Sequence, residues 1–292
     1  MQMKERENRR RENFHIFLVS AYVTAILCLF LAILLLAVLR QKLPESQVTE
    51  PVIVSKETPF RLAVFLEDGF SDGFSSLILC DCDPISGELQ MAGLPALLSL
   101  GNRTLGEYAK LEGPAGALDR LKSQYGISFE DYFVLEKTFA DRISKKYGNL
   151  QYHLPAAVSY YDPATGNSFL AAEGRNTATG TELLKLITLS TATDASDGAA
   201  LAASLFSDWC VQVLPKEPTK GDAEFFLSVG RSSFSAVEAD KMAAALCFLK
   251  KKRAEVLLLE TEKKEGVLQL SSDACLLLQN RFAKKKATLE NR

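Results

Sequence analysis

The sequence predicts an α/β protein that one N-terminal helix holds in a membrane. Three observations predict this arrangement: a charge-free apolar run at residues 14–39, short apolar segments that alternate with helical patterns between residues 60 and 282, and a hydrophobic share of 47% in 292 residues. A chain of this size can bury the core of one large domain or two small ones. The strand, helix, strand succession favours one layered α/β domain.

The apolar run at residues 14–39 reads FHIFLVSAYVTAILCLFLAILLLAVL and predicts a transmembrane helix. It exceeds the roughly 20 residues that cross a bilayer core of about 30 Å. A cleaved signal peptide would have an apolar region of only about 7–15 residues, followed by a small-residue cleavage site. Residues 1–13 are rich in Lys and Arg. The positive-inside rule therefore predicts a cytoplasmic N-terminus and an extracytoplasmic remainder.

Residues 40–59 are polar and contain three prolines, which predicts an extracytoplasmic stalk. Residues 283–292 form a basic tail. The α/β domain is therefore expected to occupy residues 60–282.

Within the domain, strands are predicted at short apolar runs bounded by Gly, Pro or acidic residues. These runs are RLAVFLED, SSLILCDCDP, ELQMAGLP, DYFVLE and EVLLLETE. Helices are predicted where apolar residues recur at spacings of three and four. They are GPAGALDRLKSQYG, TGTELLKLITL entered through Thr179 or Thr181, the stripe of Leu201, Leu205, Trp209 and Val213, FSAVEADKMAAALCFLKK with a capping box from Ser235 to Glu238, and SSDACLLLQNRF.

Charge and ligand chemistry exclude several classes of function. The net charge of −2 does not indicate a protein that binds nucleic acid. The basic runs at 250–253 and 284–286 also lack the interleaved aromatic residues of many nucleic-acid-binding segments. We expect these runs to be helix-end cations or contacts to anionic polymer or lipid. The two histidines lie far apart and no CxxC pair occurs, so a zinc site has little support. Cys80 and Cys82 share one strand face, which favours buried thiols.

Four stretches of the domain carry a family resemblance: SSLILCDCDPISGELQMAGLP, GPAGALDRLKSQYGISFEDYFVLEKTF, TATGTELLKLITL and VLQLSSDACLLLQNRF. Their order and spacing resemble the extracytoplasmic domain of the LytR-CpsA-Psr (LCP) family across most of residues 60–282. The resemblance implies a central mixed sheet flanked by helices. It also implies a bacterial cell-envelope protein whose relatives transfer anionic glycopolymers from polyprenyl-pyrophosphate carriers to the cell wall.

The catalytic positions that this resemblance implies have lost their charged residues. Gly73, Phe74 and Ser75 stand where the family has Arg-Ser-Asp. Ala96 and Leu97 stand where it has Arg-Asp after a proline, and Thr188 and Ser190 stand where it has two later arginines. Arginine forks bind phosphate oxygens bidentately, and aspartates hold magnesium. We therefore expect no catalytic residues, no magnesium or other cofactor, and little or no transferase activity.

Four polar residues near these positions are the candidates for ligand binding: Asp72, Ser75, Ser76 and Arg103. Asp72 and Arg103 lie close to places where the family has an aspartate and a lysine. Both residues also suit solvated turns, and the two serines could equally well end a strand.

The sequence is compatible with three functions. The favoured one is a non-catalytic, membrane-anchored relative that binds a polyprenyl-phosphate carrier or an anionic wall glycopolymer. One alternative is a structural or partner-docking membrane protein without a lipid ligand. The other is an active transferase with relocated charges. The expected partners are the lipid bilayer and that carrier or polymer, with no nucleic acid.

Overall fold

A computed structural model describes residues 60–83, 87–129, 131–154, 157–161, 163, 166, 168–213, 231–235, 237–239 and 254–282. All of them belong to the second of the two units into which the chain divides, Val54–Arg292. The predicted cytoplasmic segment, transmembrane helix, stalk and basic tail lie outside the described residues, as does most of the predicted helix that begins near Ser235. Among the described residues, no helix has the length and apolar character needed to cross a membrane.

The centre of the fold is a six-stranded mixed sheet with the order β10-β3-β2-β1-β4-β9. The strands are β1 (Phe60–Glu67), β2 (Phe74–Asp83), β3 (Glu88–Pro95), β4 (Asp131–Leu135), β5 (Leu150–Leu154), β6 (Val158–Tyr161), β7 (Ser168–Ala171), β8 (Gly174–Ala178), β9 (Arg231–Ser232), β10 (Glu255–Leu257), β11 (Thr261–Lys264) and β12 (Val267–Leu270). β1 pairs in parallel with β4, and β3 with β10. The other neighbours in this sheet are antiparallel. Separate two-stranded ribbons join β5 to β8, β6 to β7 and β11 to β12.

Helices cover both faces of the sheet. They are α1 (Leu105–Leu111), α2 (Gly113–Tyr125), α3 (Lys137–Tyr147), α4 (Gly180–Thr193), α5 (Ala195–Val213) and α6 (Ser272–Phe282). Alternate residues of β1 enter two separate cores: Val64 and Leu66 pack with α3, α4 and α5, whereas Ala63 and Phe65 pack with α1, α2 and α6. The expectation of a layered α/β domain with a central mixed sheet is confirmed.

Local signals place several helix ends where the sequence predicts them. Thr179 forms a capping box with Glu182 at the start of α4, and Gly126 ends α2 in the left-handed conformation with a φ of 73°. Trp209 of α5 is buried in the core, as its place in the apolar stripe predicts. One prediction was wrong: EVLLLETE is not one strand, because β10 ends at Leu257 in the central sheet and β11 begins at Thr261 in a separate ribbon.

The backbone of α5 lies directly against the sheet. A Cβ atom added at Gly93 of β3 would come within 1.9 Å of the Ala199 carbonyl oxygen. Because real Cβ atoms do not approach a backbone oxygen so closely, only glycine fits at this position. The helix and the sheet therefore leave no room here for an inserted side chain or ligand.

The described cysteines are free thiols, as the spacing of Cys80 and Cys82 predicts. Both side chains are buried between the sheet and the helices. Burial, followed by the carboxylates of Asp81 and Asp83, raises the pKa of the Cys82 thiol to about 12.

Gly93→Ala is expected to lower the free energy of unfolding by about 3 kcal/mol or more, because the added methyl group must displace α5. Urea unfolding followed by the fluorescence of Trp209, the chain's single tryptophan, measures this change. Gly73→Ala is the matched control, since the nearest atom to its added Cβ is the Ser71 hydroxyl at 3.7 Å. A Gly93→Ala variant as stable as Gly73→Ala would contradict the described packing.

Stability is expected to fall in alkali through Cys82. The folded thiol keeps its proton up to about pH 12, whereas the unfolded thiol loses it above about pH 8.5. Deprotonation therefore favours the unfolded chain between these two pH values, by up to about 1.4 kcal/mol per pH unit. Urea unfolding at pH 8 and pH 10.5 should show a smaller fall for Cys82→Ala than for the wild type. Equal falls would show that this thiol does not contribute.

Candidate functional site

Four strands of the central sheet point in one direction and end at the same edge. β1, β3, β4 and β10 end at Glu67, Pro95, Leu135 and Leu257. We call this edge, together with the loops that follow these strands, the carboxyl edge. Ligands of open α/β sheets bind beside the carboxyl ends of strands, which makes the carboxyl edge a candidate site.

Five of the seven positions at which the family resemblance implies catalytic residues lie at the carboxyl edge, and the other two, Thr188 and Ser190, lie on α4. Gly73 directly precedes β2, Phe74 and Ser75 are its first two residues, and residues 96–97 directly follow β3. The two stretches are in contact, because the Ala96 N–H donates to the Ser75 carbonyl oxygen at 3.0 Å. The side chains at these positions supply no cation and no carboxylate.

The loop between β1 and β2 is held rigidly against α4. The Asp68 carboxylate accepts from the backbone N–H groups two and three residues ahead, each at 2.8 Å. The Gly69 N–H donates to the Thr188 hydroxyl at 2.9 Å. A Cβ atom at Gly69 would lie 2.5 Å from the backbone nitrogen of Lys185. Thr188, where the resemblance implies an arginine, is thus a structural anchor for the loop.

Lys137 places a cation at the carboxyl edge that the sequence patterns did not indicate. Its backbone N–H donates to Glu67 Oε2 at 2.6 Å, which ties the start of α3 to the end of β1. Its ammonium donates to the Ser71 carbonyl oxygen at 3.0 Å and lies 4.0 Å from both Glu67 Oε1 and Asp72 Oδ1. The carboxylate of Asp72 is fully exposed. The predicted ligand-binding residue Asp72 is therefore a solvated loop carboxylate beside a lysine, and its ligand role stays a prediction.

A second cation at the carboxyl edge is also matched by a carboxylate. Arg231 of β9 lies with its Nε atom 2.6 Å from Glu136 Oε1, directly after β4. Two cations at this edge, Lys137 and Arg231, therefore already face carboxylates. An incoming phosphate would have to compete with those carboxylates for each cation.

Ser75 and Ser76 are both buried at the start of β2. The Ser75 hydroxyl lies 3.5 Å from the Leu66 carbonyl oxygen, beside an irregularity in the pairing of β1 with β2. The Ser76 side chain is 1% exposed, and its hydroxyl has no hydrogen-bond partner within the described part of the chain. Such a buried hydroxyl needs a partner to offset its desolvation. Neither serine lines the two cavities described below, and their role in ligand binding stays a prediction.

Arg103 lies on the loop before α1 and is exposed. Its guanidinium carbon is 5.9 Å from the centre of the Tyr108 ring, and its carbonyl oxygen accepts from the Leu100 N–H. Among the described residues, Arg103 has no hydrogen bond, ion pair or ring contact with Asp72, Ser75 or Ser76. Its role in ligand binding stays a prediction.

A cavity of about 590 Å³ lies between the end of α4, the start of α5 and the β11–β12 ribbon. We call it the edge cavity. Most of its lining is small, hydroxyl-bearing or apolar: Leu97, Thr104, Thr191, Ala192, Thr193, Asp194, Ala195, Ser196, Thr261, Lys263, Gly266, Val267 and Leu268. Leu97, where the resemblance implies an aspartate, lies at this cavity and is 58% exposed.

The hydroxyl groups of the edge cavity present mainly acceptor lone pairs. Thr191 and Thr193 each donate to the carbonyl oxygen one turn earlier on α4. Thr104 donates to the carboxylate of its own capping box, and the hydroxyls of Ser196 and Thr261 share one hydrogen bond at 2.8 Å. One hydrogen of the Ser196–Thr261 pair stays free to donate, and the oxygens of Thr104 and Ser196 already accept from the backbone N–H groups of Glu107 and Thr261. The oxygens of Thr191 and Thr193, whose hydrogens are engaged, remain to accept. This chemistry suits a ligand that donates hydrogen bonds.

The charged groups of the edge cavity do not form a phosphate clamp. Among its lining residues, Lys263 is the single cation and Asp194 the single carboxylate. Asp194 accepts from the Asp197 N–H at 2.9 Å and so caps α5. Within the described ranges, no three His, Cys, Asp or Glu side chains come together in a way that would hold a metal ion. The absence of a magnesium site in the whole chain stays a prediction.

No protein-family profile matches this chain, and no curated protein sequence matches it. Solved structures do match. A protein of Eubacterium siraeum described as a transcription regulator has a TM-score of 0.64 at 13% identity, over 76% of this chain and 90% of that one. Bacillus subtilis TagV has a TM-score of 0.58 at 11% identity, over 77% of this chain and 96% of that one.

TagT, in a structure with LIIa-WTA bound, has a TM-score of 0.54 at 11% identity, over 78% of this chain and 92% of its own. TagV and TagT belong to the LCP family. At such low identity, these matches show the fold alone. The fold that the resemblance implies, a mixed sheet between helices like that of LCP proteins, is thereby confirmed.

The contact between Glu67 and the start of α3 gives a stability prediction. Glu67→Ala removes the acceptor of the Lys137 N–H and is expected to cost about 1 kcal/mol, as the loss of a helix cap does. Asp72→Ala removes a fully exposed carboxylate of the same edge and should leave stability unchanged within about 0.5 kcal/mol. Urea unfolding compares the two variants. Equal stability losses would show that the Glu67 contact does not hold α3.

Proposed function

We propose that this protein is a membrane-anchored, extracytoplasmic component of the bacterial cell envelope that binds a polyprenyl-linked or wall glycopolymer and does not transfer it. The charge-free run at residues 14–39 supports the anchor. The basic flank at residues 1–13 supports the orientation.

The shared fold supports a role in the cell envelope. TagT, one of the proteins with this fold, was solved with LIIa-WTA bound. One fold hosts many functions, so the chemistry of the site has to decide between them.

The observation that carries the non-catalytic proposal is the chemistry of the carboxyl edge. Positions where the resemblance implies arginine or aspartate hold Ala96, Leu97 and Thr188. Phosphoryl transfer needs cations that hold the spread charge of the transition state. Loss of one preorganised charge typically costs about 10²–10³ in rate. Since Lys137 and Arg231 already face carboxylates, they are poor replacements.

The edge cavity supports binding of a glycan. Its hydroxyl oxygens accept hydrogen bonds, which sugar hydroxyls donate. Leu97 and Val267 add apolar surface at its rim, with 58% and 40% of each residue exposed. A few polar groups set against apolar surface are typical of small-ligand sites.

The contact between Gly93 and Ala199 favours the alternative of a docking protein without a lipid ligand. A lipid chain between the sheet and α5 would need space, and the two backbones leave none at this point. A transferase with relocated charges is the other alternative, and it predicts that Arg103→Ala abolishes activity.

Native mass spectrometry of the detergent-extracted full-length protein tests the proposal. We expect a bound polyprenyl phosphate, polyprenyl pyrophosphate or glycopolymer. We expect Leu97→Asp to lower its occupancy, because a carboxylate repels an anionic carrier and removes apolar surface from the edge cavity. Leu276→Asp is the matched control, since Leu276 is 57% exposed and lies on α6.

A transfer assay with a lipid-linked glycopolymer, magnesium and a wall acceptor is expected to give no product above a protein-free control. Product that disappears in Arg103→Ala would overturn the non-catalytic proposal in favour of the transferase. A folded protein that carries no lipid and no glycan would instead favour the docking protein.

A further inference from the structure

A second concave surface lies where the β5–β8 ribbon meets α5, outside the candidate site. It encloses about 730 Å³. We call it the ribbon cavity. Its lining is almost entirely polar: Gln151, Tyr152, His153, Arg175, Asn176, Thr177, Asp208 and Gln212.

The side chain of Gln212 fixes the shape of the ribbon cavity. Its Oε1 atom accepts from the Gln151 N–H at 2.8 Å, and its Nε2 atom donates to the Gln151 carbonyl oxygen. One side-chain amide thus satisfies both backbone groups that a neighbouring strand would otherwise pair. Because Gln212 belongs to α5, it ties the ribbon to the helix and preforms the cavity between them.

Two cross-strand pairs form the floor of the ribbon cavity. Gln151 pairs with Thr177, and His153 with Arg175. The residues that alternate with them in β5 are buried, so these four side chains point outward. None of the four side chains has a hydrogen bond or ion pair within the described part of the chain. They present a guanidinium fork, an imidazole, an amide and a hydroxyl on one small surface.

This set of donors suits an oxyanion. Arginine binds phosphate and carboxylate oxygens bidentately, and the cross-strand imidazole adds a second nitrogen donor beside it. The opposite wall carries the carboxylate of Asp208 and the negative C-terminal end of α5. The part of the cavity next to the β5–β8 ribbon therefore favours an anionic group. The part next to α5 favours neutral hydroxyl groups.

We infer that the ribbon cavity binds a sugar that carries an oxyanion, either a sugar phosphate or a sugar acid. The oxyanion contacts Arg175 and His153, and the sugar hydroxyls lie towards Gln212 and Asp208. This inference goes beyond the proposed function, because it does not involve the edge cavity. Ser196 at the edge cavity and Gln212 lie at opposite ends of α5, roughly 24 Å apart at 1.5 Å per residue.

Isothermal titration calorimetry of the full-length protein in detergent tests the inference with glucose 1-phosphate, glucuronate and glucose at pH 6. At least one of the two acids should bind saturably, and glucose should bind at least about tenfold more weakly, because it lacks the charge-assisted bonds. Arg175→Gln should weaken binding of the acid by at least about tenfold, and Arg175→Lys by less, since it keeps the charge but loses the fork. Arg120→Gln, at an arginine of α2 that is 51% exposed, should leave binding unchanged.

The histidine ring signals give a second readout. The chain has two histidines, so selective labelling yields two ring signals, and His153→Asn identifies that of His153. This signal should shift as the acid saturates the protein.

The more tightly bound acid identifies phosphate or carboxylate as the preferred group. No saturable binding of either acid, equal binding of glucose, or equal losses in Arg175→Gln and Arg120→Gln would overturn the inference. Such a failure would leave the proposed function untouched, because Leu97→Asp tests the edge cavity separately.

Discussion

The close approach of α5 to β3 is the constraint on which the arrangement of the described residues depends. Because Gly93 has no side chain, the helix backbone at Ala199 lies directly on the sheet. This contact fixes the N-terminal part of α5, and the hydrogen bonds of Gln212 to Gln151 fix its C-terminal end. Its first turn forms a wall of the edge cavity, and Gln212 in its last turn forms a wall of the ribbon cavity. A displacement of α5 would therefore alter both cavities together.

The carboxyl edge keeps the geometry of an α/β ligand site but not the charge of a phosphate site. Lys137 lies there with two carboxylates at 4.0 Å, and Arg231 with one at 2.6 Å. The pairs of Lys137 with Asp72 and of Arg231 with Glu136 each involve a well-exposed side chain and contribute only about 0–1 kcal/mol each. Their effect is on ligand chemistry, since a phosphate that approaches either cation also approaches a carboxylate. The edge is thereby more suited to hydrogen-bonding ligands than to multiply charged ones.

The parts of the fold that the sequence predicts are those with a strong local signal. β1 to β3 are apolar on both faces, and α2 and α4 carry end signals at Gly126 and Thr179. The polar sequences KTFADRISKKY and LQYHL carry weaker signals, and neither α3 nor β5 was predicted from them. The pairing of Lys137 with Glu67 joins residues 70 positions apart, and no local pattern reveals it. The position of Lys137 directly after a predicted strand was the one available signal.

The separation of the two cavities bears on what kind of ligand suits this protein. A small molecule fits in one cavity and gains nothing from the other. A polymer that reaches both cavities would gain affinity from the second contact, because the first contact raises its effective concentration at the second cavity. The gain is largest when the spacer between the sites is fixed, and α5 is fixed at Gly93 and at Gln151. If both proposals hold, a repeating glycan that reaches the two cavities would therefore bind more tightly than a monosaccharide that occupies one of them.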